Sequence, residues 1–171
     1  MNKNEEYLLY LEEHIGNVKF VWEQLQPLLK GEFKLKENDY DSLSEIIKHH
    51  DESKYSSEEF NPYCQYFYPE ENKIKNSELF NQGWNSHQKT NKHHWQYWVL
   101  IQDTGEQVAL EMSFYYIIEL LCDWAAMSIK FKSGLSDWYS QNKHNMIIAD
   151  KTRACIEKWM PLFEKIVKER K

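Results

Sequence analysis

Between Glu5 and Leu29 the apolar residues Leu8, Leu11, Ile15, Val18, Val21 or Trp22, Leu25 and Leu29 recur at intervals of three and four. That is the period of one face of an amphipathic helix. Pro27 is expected to loosen its last turn. After a loop around Gly31 to Asn38, either Asp39 or Asp41 can cap a second helix, with Leu43, Ile46 and Ile47 pointing inward and Lys48-His49-His50-Asp51 at its end. Residues 52–76 hold Phe60, Tyr63, Tyr66, Phe67 and Tyr68 together with Pro62 and Pro69, which predicts a short helix and an ordered loop. Loops of that length inside a compact domain tend to carry function. Ser77 offers the cap of a further helix through Trp84 and His87 to about His94 or Trp98. A turn at Asp103-Thr104-Gly105 precedes a long apolar helix at roughly 107–131. Gly134 breaks the chain before two last segments, Leu135 to Gln141 and Met146 to about Lys168.

Only five Gly and four Pro punctuate the 171 residues, too few for the many turns of a sandwich or barrel. The pattern predicts one all-α domain over residues 1–171, built from five to seven helices. A hydrophobic content of 42% with seven Trp suffices for a core, so the mean hydropathy of −0.78 marks a solvated outer face and not disorder. The formal charge of −6 gives no broad basic footprint for a nucleic-acid polymer. The apolar stretch Val108 to Ile129 carries Glu111, Glu119 and Asp123, which a membrane span does not readily hold. Acids stand at the N-terminus where a secretory signal carries basic residues, and Cys64, Cys122 and Cys155 are odd in number and far apart. A reduced, cytoplasmic setting is the expectation.

Six of the seven histidines precede residue 95: His14, His49, His50, His87, His93 and His94. Imidazole is the commonest side-chain ligand for transition metals, and a carboxylate can bridge two of them, so a mixed His/Asp set is what a dinuclear site needs. His50 and Asp51 are adjacent, with Lys54 one turn on; His87 and His94 share a face if their helix is unbroken, with Asn91 between them. Asp123 lies in the apolar run Leu120 to Ala126, where an unpaired carboxylate is costly and a metal or cationic partner is expected. Glu119, one turn earlier, suits a ligand, an acceptor for a histidine N–H, or a solvated side chain.

Ordinary roles compete for each position. His14 taken alone is a satisfied surface or core histidine, and His49 a solvent-facing neighbour of His50. One of His93 and His94 can orient the other or stack on Trp95, and His94 is the better ligand if it shares a face with His87. His144 reads as a loop residue, and Lys151 and Arg153 as a solvated face or an anion contact. Trp84, Trp95 and Trp124 belong to a core or wall a pocket, while Tyr63 and Tyr66 pack under the loop or stack on a base.

The ordered series His14, His50-Asp51, His87, His93-His94, Asp123 resembles the HD-domain superfamily, all-α metal-dependent phosphohydrolases with the pattern His, His-Asp, Asp. His50-Asp51-Glu52-Ser53-Lys54 is similar to the His-Asp-x-Gly-Lys signature of HD phosphodiesterases, including the HD-GYP branch. The chain is also similar to a small uncharacterised HD-like family of bacterial and phage proteins, in its His-His-Asp-x-Ser-Lys, Asn-x-His-His and Cys-Asp-Trp segments. It departs from the HD-GYP branch at Ser53, in lacking Gly-Tyr-Pro after the paired histidines, and in the short spacing of His87 and His93. The resemblance implies an HD-domain-like helical bundle in which His14, His50, Asp51 and Asp123 are core ligands. It also implies that His87, His93 and His94 complete a second metal site and that Lys54 holds substrate phosphate.

The function this implies is a phosphohydrolase using two divalent ions (Mn, Fe, Ni or Mg) and an activated water on a small phosphorylated substrate, a nucleotide or cyclic nucleotide being expected. Asp51 and Lys54 are its catalytic candidates. Two rivals are an HD-type di-iron oxygenase of a small molecule and a non-catalytic phage or bacterial interaction protein. Two divalent ions would shift the formal charge of −6 to roughly −2.

Overall fold

The structure, a computed structural model, describes residues 2–32 and 36–170. It is an all-α bundle. In chain order the helices are α1 (Lys3–Glu32), α2 (Glu37–Lys48), α3 (Ser57–Phe67), α4 (Ser77–Thr90), α5 (Phe114–Phe131), α6 (Leu135–Asn142) and α7 (Asp150–Glu169). Short 3-10 turns follow α2 at Glu52–Tyr55, α4 at Trp95–Trp98 and α6 at Lys143–Asn145. A two-stranded antiparallel hairpin, β1 (Val99–Ile101) and β2 (Gln107–Ala109), pairs Val99 with Ala109 and Ile101 with Gln107.

The apolar stripe of α1 buries Leu11, Val18, Val21, Leu25 and Leu29 completely. Each such side chain contributes about 1.5–3 kcal/mol by leaving water. Helix α5 lies at the centre, packed against α1, α2, α6 and α7. Its Ile117, Ile118, Leu120, Leu121, Cys122, Ala125 and Ala126 are all buried, which explains why its sequence is apolar on nearly every side. A second cluster of Tyr7, Tyr63 and Cys64, flanked by Tyr10, Phe60 and Trp84, joins the start of α1 to the α3–α4 pair. The site lies where the chain passes between these two clusters.

Several boundaries differ from the sequence expectation. Helix α1 continues past Pro27 to Glu32, and α2 begins at Glu37. Asp39 therefore sits within the first turn of α2, where its carboxylate accepts from the Lys36 amide (2.9 Å). Residues 33–35 of the expected loop lie outside the described residues. Helix α4 ends at Thr90 because Asn91 turns extended (φ −99°, ψ 111°) and its side-chain amide donates to the His87 carbonyl (3.0 Å). The expected helix over 107–131 starts at Phe114, its first residues forming β2 instead, with Gly105 at φ +84° in the turn. Met146–Ala149 precede α7 without joining it.

Helices α3 and α4 pack so closely at Gly83 that an added Cβ would meet Pro62 Cβ at 2.6 Å and Cγ at 3.0 Å. The proline ring cannot rotate away, so overpacking of about 1–3 kcal/mol outweighs the gain of about 1 kcal/mol in helix propensity. Gly83→Ala is expected to lower stability. Gly16→Ala, in α1 with nothing within 4 Å, is expected to raise it by about 0.5–1 kcal/mol. Urea unfolding of both variants checks the opposite signs; stabilisation by Gly83→Ala would contradict the packing.

Candidate metal centre

Helix α2 ends at Lys48, and His49 and His50 continue in a turn that closes at Asp51 with φ +59°. The left-handed conformation, which Asp tolerates better than most residues, swings the chain so that both His50 and Asp51 face the interior. The two residues are thus set side by side by a turn and not by helical rotation. From there the 3-10 turn returns Lys54 to the same place, and its ammonium lies 2.7 Å from Asp51 Oδ2.

Asp51 is 1% exposed and is the hub of the site. Its Oδ2 lies 3.3 Å from His14 Nε2 on α1 and 3.6 Å from His50 Nε2. Its Oδ1 lies 3.3 Å from His87 Nε2 on α4 and 3.5 Å from His93 Nε2. Asp123, on α5, closes the first half: its Oδ1 is 3.2 Å from His14 Nε2 and 3.9 Å from His50 Nε2. His94 closes the second, its ring centroid 4.6 Å from that of His87 and 4.2 Å from that of His93. Ligand atoms of His14, His50 and Asp123, and of Asp51, His87, His93 and His94, each form a set lying within 4.8 Å of one another.

These separations suit a metal. Two ligands about 2.1 Å from one ion stand about 3.0 Å apart at a right angle and about 3.4 Å apart at a tetrahedral angle. Moreover, the Nε2 atoms of His14, His50, His87, His93 and His94 and Oδ1 of Asp51 are all buried with no hydrogen-bond partner among the described residues. Six orphaned polar atoms converging on one region would be costly in a purely structural core. The buried His/Asp cluster can hold a metal ion.

A surrounding layer of carboxylates fixes the rings. His50 Nδ1 donates to Glu119 Oε1 (2.9 Å), and His93 Nδ1 lies 3.2 Å from that same oxygen. His87 Nδ1 donates to Glu59 Oε2 (2.7 Å), which also accepts from Ser53 Oγ (2.9 Å). Asn91 donates to Ser53 Oγ (2.7 Å) and so ties the end of α4 to the turn after α2. An ionised carboxylate only accepts, so each of these histidines carries its proton on Nδ1 and turns the Nε2 lone pair toward Asp51.

Electrostatics within the cluster push its groups apart. Burial pulls the His14 imidazole toward neutrality, but the carboxylates of Asp123 and Asp51 facing its Nε2 outweigh it and raise its pKa to about 9. Burial, aided by His93 and His87, holds His94 neutral well below the usual histidine range, and burial likewise lowers His50. Burial disfavours ionised Asp51, yet Lys54, His50 and His14 keep it ionised well below the usual carboxylate range. Lys54 is raised, its burial being offset by Asp51.

A ligating His14 must give up its proton, and that proton is held up to about pH 9. Metal binding below this pH therefore releases it, and apparent affinity should climb by about tenfold per pH unit from pH 7 toward pH 9. The same proton acts oppositely on the metal-free fold. Because the folded pKa of about 9 exceeds the ordinary 6.5, its stabilisation is full below pH 6.5 and gone above pH 9. Titration calorimetry in buffers of different ionisation enthalpy counts the proton; an affinity flat over this range would contradict the His14 role.

Every nominated residue meets in one place: His14, His50, Asp51, Lys54, His87, His93, His94 and Asp123. The route differs in two respects, since a left-handed turn sets Asp51 beside His50, and His93 and His94 follow the end of α4 and share no helical stripe with His87. His49 is half-exposed and contacts Glu45 and Glu52 instead. His144 is exposed, Lys151 pairs with Glu111, and Arg153 donates to the carbonyls of Lys143 and Met146. Glu59 is the functional candidate the sequence reading passed over. Its signal is a carboxylate four residues before Tyr63, on the face of α3 that is buried.

A cavity of about 680 Å³ opens onto the cluster, reaching His14, Asp51, Lys54, His87, His94 and Asp123. Aromatic side chains form most of its remaining walls, Trp84, Trp95 and Trp124 among them. No helix among the described residues is long and apolar enough to cross a membrane. The fold and site together define an all-α protein with a buried histidine–carboxylate cluster under an aromatic cavity. The chain belongs to the family described as a family of unknown function (DUF5662), whose model matches residues 3–161 and so spans the whole cluster. No curated protein and no solved structure matches it.

Proposed function

We propose that this protein is a divalent-metal-dependent phosphohydrolase acting on a small phosphate ester. The observation that carries the proposal is the two-sided use of Asp51: one oxygen faces His14 and His50, the other faces His87 and His93. A bridging carboxylate between two sets of imidazole lone pairs suits two ions, the first held by His14, His50, Asp51 and Asp123, the second by Asp51, His87, His93 and His94. Bound there, divalent ions such as Mn, Fe, Ni or Mg supply a water of lowered pKa and neutralise phosphoryl charge. The resemblance of the His, His-Asp, Asp series to HD-domain phosphohydrolases supports the same reading.

The protein's own part is to position and to balance charge. Glu119 and Glu59 hold three imidazoles in register. Lys54, at the cavity edge beside Asp51, offers its N–H groups to a phosphoryl oxygen. In the net reaction water oxygen bonds to phosphorus, the ester P–O bond breaks, and the leaving oxygen takes the proton that water gives up. Most of the lining is apolar, which limits competing water. The three cysteines are free, in keeping with the reducing cytoplasm we propose as its setting.

The test is a phosphatase and phosphodiesterase screen of the protein loaded with each of the four metals. Phosphate or phosphomonoester release that Lys54→Ala lowers about 10²-fold is expected. Metal binding with no release from any ester would overturn the proposal. An iron-loaded protein that takes up oxygen, with a mixed-valent spectroscopic signal, would assign it to the oxygenases. A chain that neither binds metal nor gains thermal stability from Mn or Ni would be a binding module.

A further inference from the structure

Two tyrosines outside the metal cluster hold unused hydrogen-bonding groups. Tyr7, on α1, and Tyr63, on α3, are 1% and 7% exposed, line the cavity, and bury their hydroxyls with no hydrogen-bond partner among the described residues. Buried phenols ordinarily find a partner. Both stand close to the charge of Asp51, which together with burial keeps the phenols protonated and so able to donate. Lys54 Nζ lies 5.5 Å from the centre of the Tyr63 ring, and Lys54, Tyr7 and Tyr63 line the same cavity as Asp51.

Beyond that group the cavity becomes apolar. Its lining includes Tyr68 at the end of α3, Phe80 and Trp84 from α4, and Trp124, Met127 and Trp138 from α5 and α6, with Phe67 and Phe131 at positions that are 52% and 66% exposed. Among the described residues Lys54 is the only cationic side chain in the lining apart from the histidines, and the acids there are the cluster members Asp51 and Asp123. A triphosphate would bring more charge than these groups can offset. The sugar of a nucleotide would lose hydration to walls that are mostly aromatic, with Gln96 the one amide side chain among the described residues of the lining.

We propose that Tyr7, Tyr63 and Lys54 form a phosphoryl-binding subsite, and that the substrate is a phosphate monoester of a largely apolar, uncharged alcohol whose body lies against the aromatic walls. This rests on the phosphohydrolase assignment and narrows it. The hydroxyls donate to terminal phosphoryl oxygens, and the aromatic faces take up the alcohol carbon skeleton.

Phenylphosphonate and methylphosphonate test this without turnover, since their C–P bonds do not hydrolyse and they differ in the apolar group alone. Titration of each into the Mn-loaded full chain should show phenylphosphonate binding at least about tenfold more tightly. Tyr7→Phe and Tyr63→Phe should each weaken both phosphonates by about five- to tenfold, leave Mn affinity unchanged, and leave the melting temperature unchanged or higher. That last readout separates a binding role from a structural one, because a hydroxyl with a protein partner would cost stability on removal.

Equal affinity for the two phosphonates would overturn the apolar substrate class. So would a kcat/KM for AMP above that for 1-naphthyl phosphate. Full phosphonate affinity in both Phe variants would overturn the subsite. Discrimination between the phosphonates with no hydrolysis of any ester would overturn the phosphohydrolase assignment and leave the ligand class standing. Failure to bind any of Mn, Fe, Ni and Mg would overturn both.

Discussion

Asp51→Ala is expected to abolish metal loading and to lower turnover by about 10³-fold or more, since the charge stabilisation a metal supplies is worth several kcal/mol. Asp51 is the ligand candidate with one oxygen toward each half of the cluster. Asp51 Oδ2 faces His14 and His50 while Oδ1 faces His87 and His93, so its loss removes the bridge and one ligand from each set. His50→Ala should also abolish loading. Helix content should change little, because the buried stripes of α1, α5 and α7 lie in a separate apolar cluster. Asp51→Asn guards against a cavity effect, as it keeps the shape and removes the charge. Wild-type metal content and turnover in Asp51→Asn would contradict the bridging role.

The second large effect is expected at Glu119, which touches neither cavity nor substrate. Its Oε1 accepts from His50 and also faces His93, ligand candidates on opposite sides of Asp51. Glu119→Ala frees both rings to turn and removes the acceptor that fixes their tautomers, so the affinity for both ions should fall by about 10–100-fold. Glu59→Ala, which frees only His87, should weaken one ion and spare the other. Competitive titration with a metal indicator resolves the two steps. Glu119→Ala with two unaltered affinities would sink the idea that this carboxylate couples the sites.

The contrast between these glutamates also shows what a sequence can disclose. Glu119 stands in an apolar run beside Asp123, so its carboxylate already calls for a partner. Glu59 follows Glu58 in an amphipathic helix, where acids are ordinary, and only the buried face of α3 singles it out. Helix α1 was legible because burying one face imposes a 3.6-residue period on the chain, and α5 because its apolar run is too long for a strand. The hairpin was not, since Val99-Leu100-Ile101 and Val108 form apolar runs too short to separate from a helix.

The ligands themselves were legible as residue types but only partly as geometry. A helical rotation was expected to bring His50 beside Asp51 and His87 above His94. Instead, the left-handed Asp51 and the Asn91 stop place them, and both depend on backbone conformation at polar residues that carry no periodic signal. Tyr63 read as packing under the loop or stacking on a base and Tyr7 was not singled out, because nothing in a sequence tells whether a phenol finds a partner.

Asp51 is proposed to bridge a dinuclear centre. Elemental analysis of the full chain after incubation with Mn, Fe, Ni or Mg and removal of free ion tests it most directly. Two equivalents of a divalent metal per chain are expected, lost in Asp51→Ala. Retention of no metal by the wild-type chain, or equal retention by wild type and Asp51→Ala, would contradict it.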